Sequence, residues 1–263
     1  MVNYSEDGFM EFYLAVIVFV FGTLLGSFYN VVGYRLPKGL SIVRPGSFCP
    51  KCNHSLKWYE LIPIFSFVIQ KGKCRKCKCN ISYFYPLMEL LTGILFVISY
   101  LLFGFSFEFL IAILISSFFV IVIVSDVNYL VIPDETTIFF SLAIIIIKLI
   151  AYGIEACIKS ILYGMFLFAV MYIIMLIGNK LFKKESLGGG DIKLMFFVGT
   201  ILSLPNGLFA IFLSSFLALP ISLYAYLKNK NRVIPFGPFI LLAAFIIFAF
   251  DIDVLDLLAY LTK

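Results

Sequence analysis

The sequence predicts an all-α polytopic membrane protein, with about eight transmembrane helices and a small zinc-stapled cytoplasmic domain between helices 1 and 2. Of the 263 residues, 62% are hydrophobic and only 13% are charged, against roughly 45–50% and 25% in ordinary globular domains. The apolar residues form long runs, while most polar residues are concentrated between positions 35 and 82. So few polar residues cannot cover a water-soluble particle of this size.

Eight apolar runs approach the ~20 residues that a helix needs to cross a bilayer. They cover residues 12–32, 83–103, 109–124, 136–152, 158–177, 192–204, 207–227 and 233–250. The sixth run is too short to span alone unless it is tilted or packs inside the bundle. Glu6, Asp7 and Glu11 precede the first run, where a cleavable signal peptide would be basic, so we expect this helix to be retained.

The net charge of +5 is interpreted as a topology signal and not as a sign of nucleic-acid binding. If the segment after the first run is cytoplasmic, seventeen of the twenty Lys and Arg residues fall inside, including Lys184, Lys230 and Arg232. Such an asymmetry predicts that both chain termini lie outside and that the loop after helix 1 is cytoplasmic. The predicted domains are a first helix (1–34), a cytoplasmic domain (35–82) and a helical bundle (83–263).

Two C-x-x-C pairs in the cytoplasmic domain predict a structural zinc site. The four thiols belong to Cys49, Cys52, Cys74 and Cys77, and two such pairs at this separation are typical of tetrahedral zinc. A short loop has almost no core, so a metal would stabilise it. Free or redox-active thiols are the alternative, and Cys79 or His54 could replace one ligand.

Two aspartates predict a proteolytic site at the cytoplasmic face. Asp126 follows the third run and Asp191 opens the sixth, and the charge count places both on the same side. One ionised carboxylate can activate water while a second, protonated one polarises a carbonyl. Gly188, Gly189 and Gly190 precede Asp191 and would let another backbone approach closely.

Simpler interpretations of the charged residues remain open. Asp134 follows Pro133 at the start of the fourth run, where it is expected to cap a helix N-terminus. Asp191 could complement a helix dipole, and Lys193 could be another positively charged residue that snorkels to the membrane surface.

Together these motifs resemble those of the bacterial type IV prepilin peptidases, which are leader peptidase/N-methyltransferases, along nearly the whole chain. The matching stretches are residues 26–32, 34–37, both C-x-x-C pairs, 58–63, 72–74, 85–89, 126–134, 188–193 and 235–238.

The resemblance implies a GxGD-type aspartyl protease in a bacterial inner or plasma membrane. Its catalytic pair maps onto Asp126 and Asp191, supported by Gly188, Gly190, Lys193, Pro133 and Asp134. Its substrates would be the basic leaders of prepilins or pseudopilins, cleaved on the cytoplasmic face. The new N-terminus would be methylated with S-adenosylmethionine, for which Gly72, Lys73 and Glu60 are the candidate residues.

A proton-coupled transporter is the alternative function. Eight helices carrying intramembrane acids would fit such a protein, whose acids line a path near the bilayer midplane. Both key aspartates are instead predicted at one membrane face, which favours the protease.

Overall fold

The structure, a computed structural model, describes residues 4–183, 187–228 and 234–261. Over these residues the chain is helical, with two isolated β-bridges and no strand. The described helices are α1 (Tyr4–Arg35), α2 (Phe65–Ile69), α3 (Phe84–Phe103), α4 (Phe107–Tyr129), α5 (Asp134–Phe182), α6 (Gly189–Ile201), α7 (Leu204–Lys228), α8 (Gly237–Ala249) and α9 (Val254–Leu261). The all-α prediction is confirmed.

Five of the described helices are long and apolar enough to cross a membrane: α1, α3, α4, α5 and α7. Two predicted runs, 136–152 and 158–177, lie within the 49 residues of α5, which is interrupted at Gly153 by a φ of 81° and a ψ of −176°. Helices α6 and α8 have 13 residues each, a length of about 20 Å, against the ~30 Å of a bilayer core. The count of eight spans therefore stays a prediction.

Several predicted features lie outside the described residues. They are the basic residues Lys184, Lys230 and Arg232, the first residue of the run 233–250, and both ends of the chain. The chain divides into two compact units, one ending at Phe109 and the other beginning at Leu110. The predicted boundaries at 34/35 and 82/83 stay predictions.

In the first unit, α1 packs closely against α3 through small residues. A Cβ on Gly22 would lie 2.9 Å from the Cα of Gly93, and one on Gly26 would lie 2.9 Å from the Cα of Glu89. Small residues at such points let the backbones of apolar helices approach one another. The Glu89 carboxylate then accepts a hydrogen bond from the Ile64 amide at 2.8 Å. This contact ties the connecting segment to α3.

In the second unit, α6 packs on α5 by the same device. A Cβ on Gly199 would lie 2.6 Å from the Cα of Gly164. A side chain provides a hydrogen-bond donor for a backbone carbonyl at the C-terminal end of α6: Lys148 Nζ donates to the Ile201 carbonyl at 2.8 Å. A cation at this position also complements the negative end of the helix dipole. Both contacts fix the helix that carries Asp191 against its neighbour.

Candidate metal centre and active site

The cysteine loop (residues 36–83) contains two turns with the same backbone structure, here called knuckles. In the first, the Cys49 amide donates to the His54 carbonyl at 3.0 Å; in the second, the Cys74 amide donates to the Cys79 carbonyl at 2.9 Å. Each knuckle is closed by one β-bridge, Phe48 to Ser55 and Lys73 to Asn80. Each residue of the first therefore has a counterpart 25 positions later, as Cys49 has in Cys74.

The two knuckles bring four thiols to one point. The Sγ atoms of Cys49, Cys52, Cys74 and Cys77 all lie within 4.8 Å of one another. With a zinc–sulfur distance of about 2.3 Å, the sulfur atoms of a tetrahedral site are about 3.8 Å apart. The observed contacts are 3.8 Å between Cys49 and Cys77 and 4.0 Å between Cys52 and Cys74. These four residues can hold a metal ion, as predicted.

Backbone amides favour the thiolate form at two of these positions. Hydrogen bonds from Lys51 and Cys52 lower the pKa of Cys49 to about 6. The pKa of Cys77 is also lowered, mainly by a hydrogen bond from the backbone amide of Cys79. Thiolates are the metal-binding form of cysteine, so the backbone favours that form at Cys49 and Cys77. At Cys52 a backbone hydrogen bond from His54 is outweighed by burial and by the neighbouring thiols, which raise its pKa to about 11.

Glu60 connects the two knuckles from a buried position. Its side chain is only 1% exposed, and its Oε2 lies 3.3 Å from His54 Nε2 in the first knuckle. Its Oε1 lies 3.8 Å from Arg75 Nε in the second knuckle. Its Oε2 also accepts a hydrogen bond from the Lys57 amide at 3.0 Å. Burial raises the pKa of Glu60, but the Lys57 and His54 hydrogen bonds outweigh it, so this pKa lies below its usual value.

The other methyltransferase candidates, Gly72 and Lys73, lead directly into the second knuckle. Gly72 is buried with a φ of 66°, and its Cβ position lies 3.1 Å from the ring of Phe67. Lys73 is exposed and belongs to the closing bridge of the knuckle. Lys73 directly precedes Cys74 and Gly72 stands two positions before it. Glu60 reaches the same knuckle through Arg75.

In the second unit, Asp126 lies near the C-terminal end of α4 and is buried, with 6% of its surface exposed. The Gly237 amide, at the start of α8, donates to its Oδ2 at 3.2 Å. A Cβ on Gly237 would lie 3.1 Å from this same oxygen and 2.8 Å from Ile132 Cδ1. The backbone of α8 can therefore reach the carboxylate only where the side chain is absent.

Asp191 lies in the first turn of α6 and is half-buried. The structure brings it close enough to Asp126 for the two carboxylates to interact electrostatically. The side chain of Ile132 lies between the two aspartate-bearing regions. It faces Gly237 beside Asp126, and a Cβ on Gly190, the residue before Asp191, would lie 3.1 Å from it. The sequence predicted that glycines before Asp191 let another backbone approach. In the structure, Gly190 instead makes room for the side chain of Ile132.

Asp134 and Lys193 form an ion pair beside these aspartates. Lys193 Nζ lies 2.6 Å and 2.7 Å from the two carboxylate oxygens of Asp134. The predicted helix cap at Asp134 is wrong, because Pro133 occupies the N-cap position and no side chain caps this end. Lys193 thus has a partner, while the snorkelling role considered for it stays a prediction.

An open groove of about 450 Å³ extends along α5 and α6 from this ion pair. It is lined by Asp134, Thr137, Ile138, Ser141, Leu142, Ile145, Phe168, Lys193 and Phe196. The groove is therefore apolar apart from its charged end and two hydroxyl groups, and it fits an apolar chain better than a polar one.

Sequence reasoning did not select Gly237 or Ile132 as site residues. Gly237 stands 111 positions from Asp126, so no spacing rule connects the two. A signal existed in the segment 235–238, where a glycine between two prolines breaks an otherwise apolar run.

The chain matches two family models. One, described as the bacterial peptidase A24 N-terminal domain, covers residues 20–103, and one, described as the type IV leader peptidase family, covers residues 112–223. No solved structure matches the chain.

Among curated proteins, the chain is similar to several named prepilin leader peptidase/N-methyltransferase. It is 36% identical to that of Bacillus subtilis (strain 168), over 84% of this chain and 88% of the relative. It is 36% identical to that of Myxococcus xanthus (strain DK1622), over 77% of this chain and 60% of the relative. It is 33% identical to that of Xanthomonas campestris pv. campestris, over 89% and 91% respectively.

Proposed function

Since the chain belongs to the type IV leader peptidase family, we propose that it is a membrane-embedded aspartic endopeptidase that removes the leader of type IV prepilins and pilin-like proteins. The observation that carries this proposal is the placement of Asp126 and Asp191, two carboxylates on different helices: Gly237, which faces Asp126, and Gly190, which precedes Asp191, both lie against the side chain of Ile132. Such a pair supplies the base and the acid that hydrolysis of a peptide bond requires.

We assign the base to Asp126 and the acid to Asp191. The Gly237 amide donates to Asp126 Oδ2, and a backbone N–H stabilises a carboxylate in its charged form. Asp126 would take a proton from water as that water attacks the scissile carbonyl carbon. Asp191, protonated, would donate a hydrogen bond to the carbonyl oxygen. The proton that Asp126 took from water would then pass to the leaving nitrogen as the C–N bond breaks, which releases the leader and restores the starting protonation of the pair. Two close carboxylates share one proton, so the pair titrates as a unit.

The supporting residues keep the pair in place. Gly190 and Gly237 leave room for Ile132 between α6 and α8, which positions both helix ends against α4. Pro133 and Asp134 follow Ile132 directly, and Lys193 holds Asp134. Gly188 lies next to Asp191, with its Cβ position 3.3 Å from Asp191 Oδ2, so a larger residue there would crowd the acid.

The groove along α5 and α6 supports an apolar peptide substrate. It begins at Asp134 and Lys193, and Lys193 is two residues from Asp191 on α6. Its walls present Ile138, Leu142 and Phe168, which would exclude water from a bound apolar segment.

A second activity, N-methylation of the new N-terminus, is proposed from the names of the relatives. S-adenosylmethionine would supply the methyl group, and Gly72, Lys73 and Glu60 are the candidate residues in the cysteine loop. The described residues contain no Gly-rich turn after a strand, the usual nucleotide-binding signature. This assignment therefore depends on the resemblance. A structural zinc ion held by Cys49, Cys52, Cys74 and Cys77 would stabilise the loop for this task.

The proposed location is a bacterial inner or plasma membrane, with the aspartate pair and the cysteine loop on the cytoplasmic face and both termini outside. The charge asymmetry supports this orientation. Single-cysteine labelling of Ser82→Cys from each side of the membrane tests it. Reaction with an impermeant reagent applied from outside would reverse the proposed topology.

The experiment that tests the function is incubation of the purified protein with a prepilin-like peptide and S-adenosylmethionine. We expect leader release and methylation of the new N-terminus, both read by mass spectrometry. A proton-coupled transporter would cleave nothing, and it finds no support in the fold, since Asp126 and Asp191 lie at helix ends and not mid-span. Failure to cleave under conditions where a characterised relative does so would reject the proposal.

A further inference from the structure

The cysteine loop offers one thiol more than a tetrahedral metal site uses. Besides the four residues already described, Cys79 Sγ lies 3.6 Å from Cys49 Sγ. This contact is shorter than the 3.8 Å between Cys49 and Cys77. Both distances are close to the separation of about 3.8 Å expected between two sulfur ligands of one zinc ion.

Cys77 and Cys79 approach Cys49 from the same knuckle. Only Lys78 separates them, and its φ of 59° turns the chain so that both flanking side chains face the cluster. Both thiols contact Cys49, at 3.8 Å from Cys77 and 3.6 Å from Cys79. Cys79 is not among the four thiols that lie within 4.8 Å of one another. To become the fourth ligand beside Cys49, Cys52 and Cys74, its side chain would have to turn from Cys49 toward the other two thiols.

The first knuckle lacks such a spare ligand. The residue equivalent to Cys79 is His54, whose ring nitrogen Nε2 lies 3.3 Å from Glu60 Oε2. Glu60 is buried and also accepts a hydrogen bond from the Lys57 amide, so Nε2 of His54 is already paired. Loss of Cys52 therefore leaves that knuckle with one ligand.

We propose that Cys77 and Cys79 are interchangeable ligands for one coordination position of the metal ion, so that the loop binds zinc through Cys49, Cys52, Cys74 and either of the two. Cys77 is exposed and therefore open to alkylation or oxidation. A neighbouring thiol that takes over its position would keep the metal bound when Cys77 is lost. The other thiol stays free beside the site.

The test compares four variants of the full-length purified protein: Cys77→Ser, Cys79→Ser, the double variant of these two, and Cys52→Ser as the matched control. Zinc content is measured by elemental analysis and zinc affinity by competition with a chelator. Each single variant at 77 or 79 should keep about one zinc per chain, with affinity lowered less than about tenfold. The double variant and Cys52→Ser should lose affinity on the order of a hundredfold or more, as expected when one ligand of a strong site is removed.

Cobalt substitution counts the sulfur ligands directly. The thiolate-to-cobalt absorption of Cys77→Ser should match that of the unmodified protein, while the double variant should show the weaker absorption of three thiolates. If Cys77→Ser loses zinc as fully as Cys52→Ser does, or shows a three-thiolate spectrum, the proposal is wrong. These measurements need no peptide cleavage, so their outcome is independent of the proposed function.

Discussion

Lys193 and Asp134 form a two-point ion pair, with Nζ 2.6 Å and 2.7 Å from the two carboxylate oxygens. The pair joins the fifth residue of α6 to the first residue of α5. It explains why Asp134 does not cap its own helix, because both oxygens are directed at another element. The two side chains are 47% and 57% exposed, so water screens the interaction.

Breaking this pair should therefore have a small effect. We expect Asp134→Asn, Lys193→Met and the double variant to lower the free energy of unfolding by about 0.2–1 kcal/mol each, the usual range for an exposed ion pair. Cleavage should fall less than about tenfold, since neither group supplies the acid or the base. Peptide cleavage rates and thermal unfolding measure both. A loss as large as that of a catalytic aspartate would mean that Asp134 takes part in the chemistry.

Asp126→Asn and Asp191→Asn should each abolish cleavage. Asparagine keeps the size of aspartate but can neither accept the proton nor share the charge. We expect a loss of several orders of magnitude, beyond the ~10²–10⁴ of a single general acid–base contribution. The double variant should be hardly worse than either single one, because the two groups act as a unit. Methylation of an already cleaved peptide should survive, and near-normal cleavage by either variant would disprove the assignment.

Gly237→Ala should impair cleavage while leaving the fold largely intact. The added Cβ would lie 2.8 Å from Ile132 Cδ1 and 3.1 Å from Asp126 Oδ2, closer than van der Waals contact allows. Asp126 or the start of α8 must then shift, and misplaced catalytic groups cost rate steeply. We expect at least about a tenfold lower kcat. Gly189→Ala is the matched control, because nothing lies within 4 Å of its Cβ position; equal losses in both variants would contradict this account.

Removal of the metal should affect methylation more than cleavage. Elemental analysis should find about one zinc per chain, as a four-thiolate site requires. Stripping it with a chelator, or replacing Cys49 by serine, should unfold the cysteine loop locally, which protease digestion would report. Cleavage should persist, because the aspartate pair belongs to the other compact unit. Stoichiometric protein without metal, or with a disulfide between the knuckles, would refute the prediction.

Glu60→Gln should loosen the loop without removing a ligand. The amide keeps the shape of the side chain but loses the charge that faces His54 and Arg75. Loss of a charge-assisted buried contact typically costs about 1.5–3 kcal/mol. We expect faster amide hydrogen exchange across both knuckles and zinc affinity about tenfold lower, as for other groups behind metal ligands. Unchanged exchange in either knuckle would show that Glu60 does not connect them.

The sequence alone predicted those features that depend on local spacing or on bulk composition. The paired cysteines are a local pattern, and the structure brings Cys49, Cys52, Cys74 and Cys77 to one point as predicted. The pairing of Asp126 with Asp191 stays a prediction, which rests on a charge count that would put both helix ends on one side of the membrane. The all-helical class follows from the length and apolar character of the runs.

Features that depend on contacts between distant residues were missed or predicted wrongly. The residues around Asp134 are typical of a helix N-cap, but its carboxylate instead pairs with Lys193, which is 59 positions away in the sequence. Gly237 meets Asp126 only because α8 is packed beside α4. The sequence predicts two separate helices in the region of α5. In the structure the two apolar runs join into one helix, which is interrupted at Gly153.

The local closure of both knuckles has a consequence for the order of folding. Their bridges join residues seven positions apart, Phe48 to Ser55 and Lys73 to Asn80, and such short-range contacts form fast. All five loop cysteines precede α3 in the chain, so a growing polypeptide holds the complete ligand set before α3 has been synthesised. A folded loop then shortens the flexible chain between α1 and α3, which lowers the entropy cost of their meeting. The metal-bound loop would thus act as a fold nucleus for the helix pair that it connects.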